Sequence, residues 1–181
     1  MRMETPDEDL ATAAAFGDRE AFAALLSRHY DRLFRLTYSL TGRRAEAEDL
    51  AQDICAALPA KLAGFRGQAQ FTTWLYRVTV NAAHDRRRRA ATHAKAATGW
   101  GDWELDRQAA MADEAAAQGW LMQAMAALPA DLRDTVALTL GEEMSQAEAA
   151  EVLEISEGTV AWRMSEVKKR LRAMAAAEDQ R

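Results

Sequence analysis

The stretch from Ser145 to Arg172 constrains the fold more than any other part of the chain, because it has the pattern of a helix-turn-helix. Ser145 and Glu148 stand at the spacing of a capping box, in which the serine caps a new helix and the glutamate reaches back to the cap. This helix is predicted to end near Leu153, and a tight turn then leads to Ser156, which can cap a second helix. The pattern therefore predicts two short helices joined by a tight turn.

The second of these helices has one apolar face and one mostly polar face. Four apolar residues at helical spacing predict a buried stripe, namely Val160, Met164, Val167 and Leu171. The opposite face carries Thr159, Ala161, Trp162, Arg163, Ser165, Glu166, Lys168 and Lys169. A helix of this kind fits the major groove of DNA and reads base edges. The pattern favours DNA binding over an ordinary helical hairpin with a solvated basic face, although such hairpins are common.

The composition indicates an all-α protein. The chain has 181 residues, enough for one large or two small domains, with 9 glycines, 3 prolines and no sustained alternation typical of strands. Its single cysteine, Cys55, has no partner for a disulfide and indicates a reducing compartment. Three scattered histidines predict no metal site, and the sequence has neither a membrane-spanning apolar run nor a signal peptide. We therefore expect a cytoplasmic protein without a cofactor.

Charge is distributed unevenly along the chain. The formal net charge of −5 is unusual for a protein that binds nucleic acid. Residues 1–89 carry 14 basic against 12 acidic residues, whereas residues 128–181 carry 7 against 11. In the C-terminal part, the basic residues cluster between Arg163 and Arg172. So short a basic footprint would hold DNA weakly by itself, which favours a protein that binds DNA as part of a larger assembly.

Helical periodicity also divides the rest of the chain. In the N-terminal part Asp18 can cap a helix that Gly42 ends, and Pro59 marks the end of the next. The helices predicted there cover residues 18–42, 45–58 and 71–89, with a loop over residues 61–70. Two more helices are predicted over residues 120–127 and 130–140, ahead of the helix-turn-helix.

The periodicity disappears over residues 90–118, which are predicted to form a linker with little structure of its own. Trp100 and Trp103 in this linker could dock on a domain or on a partner, and the sequence leaves the matter open. The expected organisation is a tail over residues 1–17, a domain over 18–89, the linker, a domain over 119–173 and a tail over 174–181.

Taken together, the two halves resemble a bacterial RNA polymerase sigma factor of the extracytoplasmic-function type. In the first half the resemblance rests on the sequence Ala-Glu-Asp-Leu-Ala-Gln-Asp at residues 47–53, on Phe65-Arg66-Gly67 and on residues 71–85. In the second half it rests on Leu128-Pro129 and on residues 148–150 and 156–160. Each motif is weak alone, but their order, spacing and co-occurrence make the match specific. It covers residues 18–89 and 120–173.

The resemblance implies two helical domains joined by a flexible linker, with core RNA polymerase, promoter DNA and a cognate anti-sigma factor as partners. It places the contact with the polymerase clamp at Asp49, Gln52 and Asp53, which share one helix face. It places recognition and opening of the start-proximal promoter element at Phe65, Arg66, Arg77, Asn81, His84, Arg86 and Arg88. An aromatic ring there can stack on an unpaired base, an amide can pair with a base edge, and arginines can hold phosphates. Phe65 is nearly as well explained as a core contact, and Trp74 is expected in the core.

For the upstream promoter element, the resemblance implies base readout by the recognition helix at Ala161, Trp162, Ser165 and Glu166. Thr159 belongs to the same face, with Arg163, Lys168 and Lys169 nearer the phosphates. Here the sequence departs from the family, since Trp162 stands where a small serine is usual and Glu166 where an arginine is usual. Glu154 also replaces the turn glycine of many helix-turn-helices. These departures leave the promoter sequence open.

Three other classes of protein compete with this interpretation. A free-standing helix-turn-helix regulator would need a dimer interface to reach two half-sites, and the sequence shows no coiled coil. A sigma mimic that only sequesters an anti-sigma factor would need no promoter-opening residues, yet Phe65, Asn81 and the arginine run are present. An enzyme is the least favoured class, since no nucleophile–base pair, glycine-rich phosphate loop or metal cluster is visible in the sequence.

Overall fold

The computed structural model describes residues 5–97, 109 and 119–178, and the regular elements in these residues are all helical. An N-terminal unit consists of α1 (Asp7–Ala15), α2 (Arg19–Thr41), α3 (Arg44–Leu62) and α4 (Phe71–Ala97). A C-terminal unit consists of α5 (Trp120–Ala127), α6 (Ala130–Val136), α7 (Gln146–Leu153) and α8 (Glu157–Glu178). A π-helical turn, Ala137–Gly141, extends α6. The all-α prediction is confirmed.

The helix ends follow the capping residues in the sequence. The Asp18 carboxylate accepts hydrogen bonds from the backbone N–H groups of Glu20 and Ala21, at 2.9 and 3.0 Å, and so begins α2. Gly42 ends α2 in the left-handed conformation, with φ 70°, which glycine adopts without steric cost. Both predicted caps are therefore confirmed.

The N-terminal segment departs from the prediction, because part of the predicted tail over residues 1–17 forms α1. Ala11 of α1 is fully buried, and the Asp7 carboxylate accepts hydrogen bonds from Arg28 and His29 of α2, at 2.8 and 2.6 Å. Burial alone would raise the pKa of Asp7, but these two partners hold it below its ordinary value. Such partners lie more than twenty residues away, so local periodicity could not show that this alanine-rich segment packs as a helix.

Three other predicted helices end later than expected. Helix α3 continues through Pro59 to Leu62, because burial of Leu58 and Leu62 in the core offsets the hydrogen bond that the proline cannot donate. Helix α4 continues past Arg89 to Ala97, so residues 90–97 of the predicted linker are helical. Helix α8 reaches residue 178, within the predicted C-terminal tail. Trp100 and Trp103 lie outside the described residues.

The two units share one hydrophobic core. Leu33 and Leu36 of α2 belong to the same buried cluster as Leu132 and Leu138 of the C-terminal unit. Helix α2 contacts α6 and the π-helical turn, and α4 contacts α7. The C-terminal unit therefore lies directly against the two long helices of the N-terminal unit, in an arrangement that the sequence could not predict.

The turn between α7 and α8 carries backbone strain at Glu154, which has φ 55° and ψ 41° where glycine would be unstrained. We expect Glu154→Gly to raise the free energy of unfolding by about 0.5–1 kcal/mol. The strain energy relieved in the folded state exceeds the stability lost because glycine increases the conformational entropy of the unfolded chain. Urea denaturation followed by circular dichroism measures this change. The matched control is Glu157→Gly in the first turn of α8, which should be destabilising. A loss of stability in Glu154→Gly would show that this turn is not strained.

Candidate functional site

The residues predicted to bind the polymerase clamp lie together on the solvent-exposed face of α3. The side chains of Asp49 and Asp53 are 67% and 77% exposed, and Gln52 between them is also exposed. Leu50 and Ile54 on the opposite face are each only 2% exposed and hold the helix in the core. This face therefore offers carboxylate and amide groups that suit guanidinium groups of a partner helix.

Arg86 of α4 lies beside this face rather than on a separate DNA-binding surface. Its guanidinium nitrogens are 3.3 Å from Asp49 Oδ2 and 3.4 Å from Asp53 Oδ2. The arrangement links α4 to α3 through two solvent-screened ion pairs at one end of the face. Arg86, which the family resemblance assigns to promoter DNA, is thus placed where it orients the predicted polymerase contact.

An open groove of about 660 Å³ runs between α3 and α4 and joins the two predicted sites. Asp53 lines it from α3, while Trp74, Arg77 and Asn81 line it from α4. Asn81 is exposed, so its amide can meet the hydrogen-bonding edge of a base. Trp74 packs against the core as expected, but it is only half-buried and also borders the groove. Its spacing of seven residues from Asn81, which places both on one helix face, could have indicated this.

Phe65 belongs to an aromatic cluster and does not stand free. Its ring centroid lies 5.4 Å from that of Trp74 and 5.8 Å from that of Phe71, with both contacts edge-on. Such geometry contributes to stability beyond the burial of area. The ring therefore supports the loop and the groove wall, as the core interpretation predicts, whereas the neighbouring Arg66 is exposed.

Two of the predicted DNA-binding residues on α4 are paired with acidic residues of the C-terminal unit. Arg77 Nη2 donates to Glu151 Oε1 at 2.8 Å, and His84 Nε2 is 2.9 Å from Asp134 Oδ2. Arg88 differs, since its side chain is 80% exposed and, among the described residues, pairs within its own helix with Asp85. The start-proximal residues thus do not form one open surface in this arrangement.

Asp134 is the most buried charge in this region, with a side chain that is 2% exposed. Arg87, which belongs to the arginine run that was expected to hold phosphates, donates instead to both of its carboxylate oxygens. Burial alone would raise the pKa of Asp134, but hydrogen bonds from His84 and Arg87 hold it below its ordinary value. The carboxylate therefore remains charged, and its partners come from the other unit.

The helix-turn-helix forms as the sequence predicts. Ser145 and Glu148 make a reciprocal capping box at the start of α7, and Ser156 Oγ accepts from the Thr159 N–H at 3.1 Å at the start of α8. The apolar stripe of α8 is buried at Val160, Met164 and Val167. These contacts fix the angle at which α8 presents its other face to solvent.

That outward face is largely open. Trp162 is 62% exposed, and further exposed positions are Ala161, Ser165, Lys168 and Lys169. Glu166 Oε1 accepts from Arg170 Nε at 3.0 Å, so its charge is partly balanced within the helix. The face combines a large aromatic ring, small residues and lysines, which together can contact base edges and phosphates.

Arg163 is placed differently from the other recognition-helix residues. Its guanidinium lies 3.7 Å from Asp131 Oδ2, and its side chain is only 18% exposed. It therefore connects α8 to α6 within the C-terminal unit. Thr159 is also only partly exposed, since its hydroxyl lies 2.8 Å from that of Ser156 in the helix cap.

Metal-binding and membrane-spanning features are absent from the described part of the chain. Within residues 5–97, 109 and 119–178, no three His, Cys, Asp or Glu side chains are grouped so that they could hold a metal ion. None of the helices in these residues is both long and apolar enough to cross a membrane.

Two family profiles and several known proteins are similar to this chain. Residues 25–92 match the family profile described as Sigma-70 region 2, and residues 118–171 match that of Sigma-70, region 4. The ECF RNA polymerase sigma factor SigM of Mycobacterium tuberculosis is 36% identical over 94% of this chain and 85% of its own length. SigW of Bacillus subtilis is 29% identical over 86% of this chain and 89% of its own.

A solved structure is also similar to this chain over most of its length. CnrH in complex with the cytosolic domain of CnrY is similar at a TM-score of 0.68 and 29% identity, covering 94% of this chain and 97% of that chain. The region 2 match includes the α3 face and the groove, and the region 4 match includes the helix-turn-helix. The chain therefore belongs to the extracytoplasmic-function (ECF) family of RNA polymerase sigma factors.

Proposed function

We propose that this alternative sigma factor uses three surfaces, two of them adjoining, to bring core RNA polymerase to its promoters. One observation carries the assignment: a single chain presents an exposed acidic α3 face, an adjoining groove that contains Asn81, and an open recognition helix. Asp49, Gln52 and Asp53 bind the polymerase clamp, and Arg86 positions the two carboxylates. Catalysis of RNA synthesis belongs to the polymerase, and this chain acts as an initiation factor.

The groove between α3 and α4 is the proposed site for the start-proximal promoter element. Strand separation exposes a base that needs a pocket and hydrogen-bonding groups, and Asn81 supplies an amide in the groove that Trp74 also lines. Arg66 and Arg88 are exposed and can hold the phosphates of the opened strand. Arg77 borders the groove and can do the same once it leaves Glu151.

The exposed face of α8 is the proposed reader of the upstream element. Trp162 can pack on thymine methyl groups, and Glu166 can accept a hydrogen bond from a cytosine amine. Lys168 and Lys169 reach the phosphates from the next turns of the helix. Because this basic footprint is short, it needs the polymerase contact to hold DNA firmly.

The function is tested by transcription in vitro with purified core polymerase and a library of promoter sequences. We expect the chain to select promoters that share two sequence elements and to start transcription only when core polymerase is present. A free-standing regulator would instead bind its DNA with full affinity without polymerase, as a dimer detectable by light scattering. A sigma mimic would bind an anti-sigma factor but start no transcription.

Replacing Glu166 tests the base contact directly. We expect Glu166→Ala to relax the preference at one position of the upstream element, with a decrease of about 1–3 kcal/mol in discrimination. Lys168→Ala is the matched control in the same helix, and it should weaken all sequences alike and flatten the salt dependence. Binding-site selection with each variant bound to polymerase measures both effects. If Glu166→Ala strengthens binding to every sequence equally, Glu166 is only a repulsive charge near phosphate.

We also propose a cytoplasmic location and an anti-sigma factor as a regulatory partner. The location follows from the sigma-factor function, since core polymerase acts in the cytoplasm. The similar protein CnrH binds the cytosolic domain of another protein, CnrY, which supports a protein partner of this kind. Co-purification from the native host after tagging would test this partnership.

A further inference from the structure

The first helix, α1, reaches across the N-terminal unit to the start of α4. Glu8 Oε1 accepts a hydrogen bond at 3.3 Å from the backbone N–H of Phe71, the first residue of α4. The Gln70 carbonyl already accepts the first hydrogen bond of this helix, from Trp74, so the Phe71 N–H is one of the donors that a helix leaves unsatisfied at its start. Glu8 therefore supplies, from another helix, a partner that α4 does not give itself.

The Glu8 carboxylate also meets the positive end of the α4 dipole. The first turn of α4, Phe71-Thr72-Thr73, contains no acidic residue of its own. A negative charge close to a helix N-terminus is stabilising, and the effect falls off beyond the first turn. The start of α4 therefore obtains from α1 both a hydrogen-bond acceptor and a negative charge.

Helix α1 is itself anchored, so Glu8 has a defined position. The carboxylate of the preceding residue, Asp7, accepts from Arg28 and His29 of α2 at 2.8 and 2.6 Å. One turn later, Ala11 is fully buried in the core. Two consecutive carboxylates thus hold α1 to two different helices, Asp7 to α2 and Glu8 to α4.

Phe71 connects this contact to the groove between α3 and α4. It is 3% exposed, and its ring centroid lies 5.8 Å from that of Phe65 and 5.7 Å from that of Trp74. Trp74 lines the groove together with Asn81, while Phe65 belongs to the loop that carries the exposed Arg66. Because packed rings transmit displacements to one another, a shift at the start of α4 would move both the groove wall and this loop.

We propose that Glu8 is a positioning residue for promoter opening, which holds the start of α4 so that the groove wall and the neighbouring loop keep the arrangement that receives an unpaired base. The inference rests on the function proposed for the groove. Glu8 acts through Phe71 and Trp74, and α1 thereby becomes a brace for the start-proximal site in place of the tail that the sequence predicted.

The test measures promoter opening by the full chain bound to core polymerase, through the permanganate reactivity of unpaired thymines. Glu8→Ala removes the acceptor, whereas Glu8→Gln keeps an oxygen acceptor and loses only the charge. Asp9→Ala is the matched control, since it removes the neighbouring exposed carboxylate of α1. Circular dichroism checks the fold, which we expect to persist because Glu8 is exposed. Hydrogen–deuterium exchange of each full chain reports on the start of α4.

We expect Glu8→Ala to lower the fraction of opened duplex promoter about fivefold, as for loss of a helix cap. Exchange should become faster over residues 65–74, and opening should recover on a pre-melted template. Glu8→Gln and Asp9→Ala should open the duplex to within about twofold of the native chain, because both retain the acceptor at Phe71.

Native opening by Glu8→Ala would overturn the positioning role, and so would an equal defect in Glu8→Gln or Asp9→Ala. Faster exchange spread evenly over the whole N-terminal unit would also overturn it, since Glu8 would then act through overall stability. Asn81→Ala in the same assay tests the groove itself. Normal opening by Asn81→Ala contradicts the proposed function, whereas a defect there beside normal opening by Glu8→Ala contradicts only the role of Glu8.

Discussion

Reversing the charge of both carboxylates in the variant Asp49→Lys/Asp53→Lys is expected to abolish binding to core RNA polymerase while the chain keeps its helical content. Both side chains are exposed on α3, so the substitution breaks their two solvent-screened ion pairs with Arg86 but removes no group from the core. A partner guanidinium that now faces lysines loses its hydrogen bonds and meets repulsion, which costs about 2–5 kcal/mol for each desolvated pair. Breaking two such pairs corresponds to a decrease in affinity of at least about a thousandfold.

The measurement is binding to purified core polymerase by biolayer interferometry, with circular dichroism to confirm the fold. The control variant Glu20→Lys/Asp31→Lys makes the same change in net charge at two exposed positions of α2, in the same unit but outside the α3 face. We expect this control to bind core polymerase almost normally. The loss of binding in the Asp49/Asp53 variant would then come from a local contact and not from the change in net charge. Unchanged affinity of the Asp49/Asp53 variant would contradict the clamp assignment.

The features that were predictable from the sequence depend on neighbours along the chain. A cap needs only a side-chain oxygen and the next turn of backbone, so Asp18 and Ser145 could be recognised from sequence alone. The stripe of α8 follows from the helical repeat in the same way. The α3 face was also predictable, because its members and the buried residues opposite them lie within one and a half turns.

The features that were missed depend on residues distant in sequence. Asp134 and its partner His84 are 50 residues apart, and no local pattern indicates that a carboxylate of α6 is buried against α4. The placement of Arg86 against α3 depends likewise on how two helices cross. Helix α1 is stabilised by Arg28 and His29, so its alanine-rich sequence alone resembled a tail. In each case the packing of the units, rather than the helical repeat, decides the role of the side chain.

The structure gives different surroundings to Phe65 and Asn81, the two residues to which promoter opening was assigned. Asn81 is exposed in the groove, whereas the Phe65 ring packs against Phe71 and Trp74. Removing the Phe65 ring leaves a gap in this cluster, so Phe65→Ala should lower the free energy of unfolding by about 2–3 kcal/mol. Phe65→Leu keeps much of the volume and should be nearly as stable as the native chain. If Phe65→Leu also transcribes normally, the ring has a structural role only.

Asn81→Ala is expected to have the opposite profile, with native stability and impaired promoter opening. Its amide pairs with an unstacked base in the proposed mechanism, and removing one such hydrogen-bonded pair costs about 1–3 kcal/mol, or about 5- to 150-fold in the population of open complex. The defect should appear on duplex promoters and be partly rescued on a pre-melted template, where strand separation is already complete. His93→Ala, an exposed substitution on the same helix outside the groove, should open duplex promoters normally. Wild-type opening of duplex templates by Asn81→Ala would remove Asn81 from the site and leave base capture to other groups of the groove.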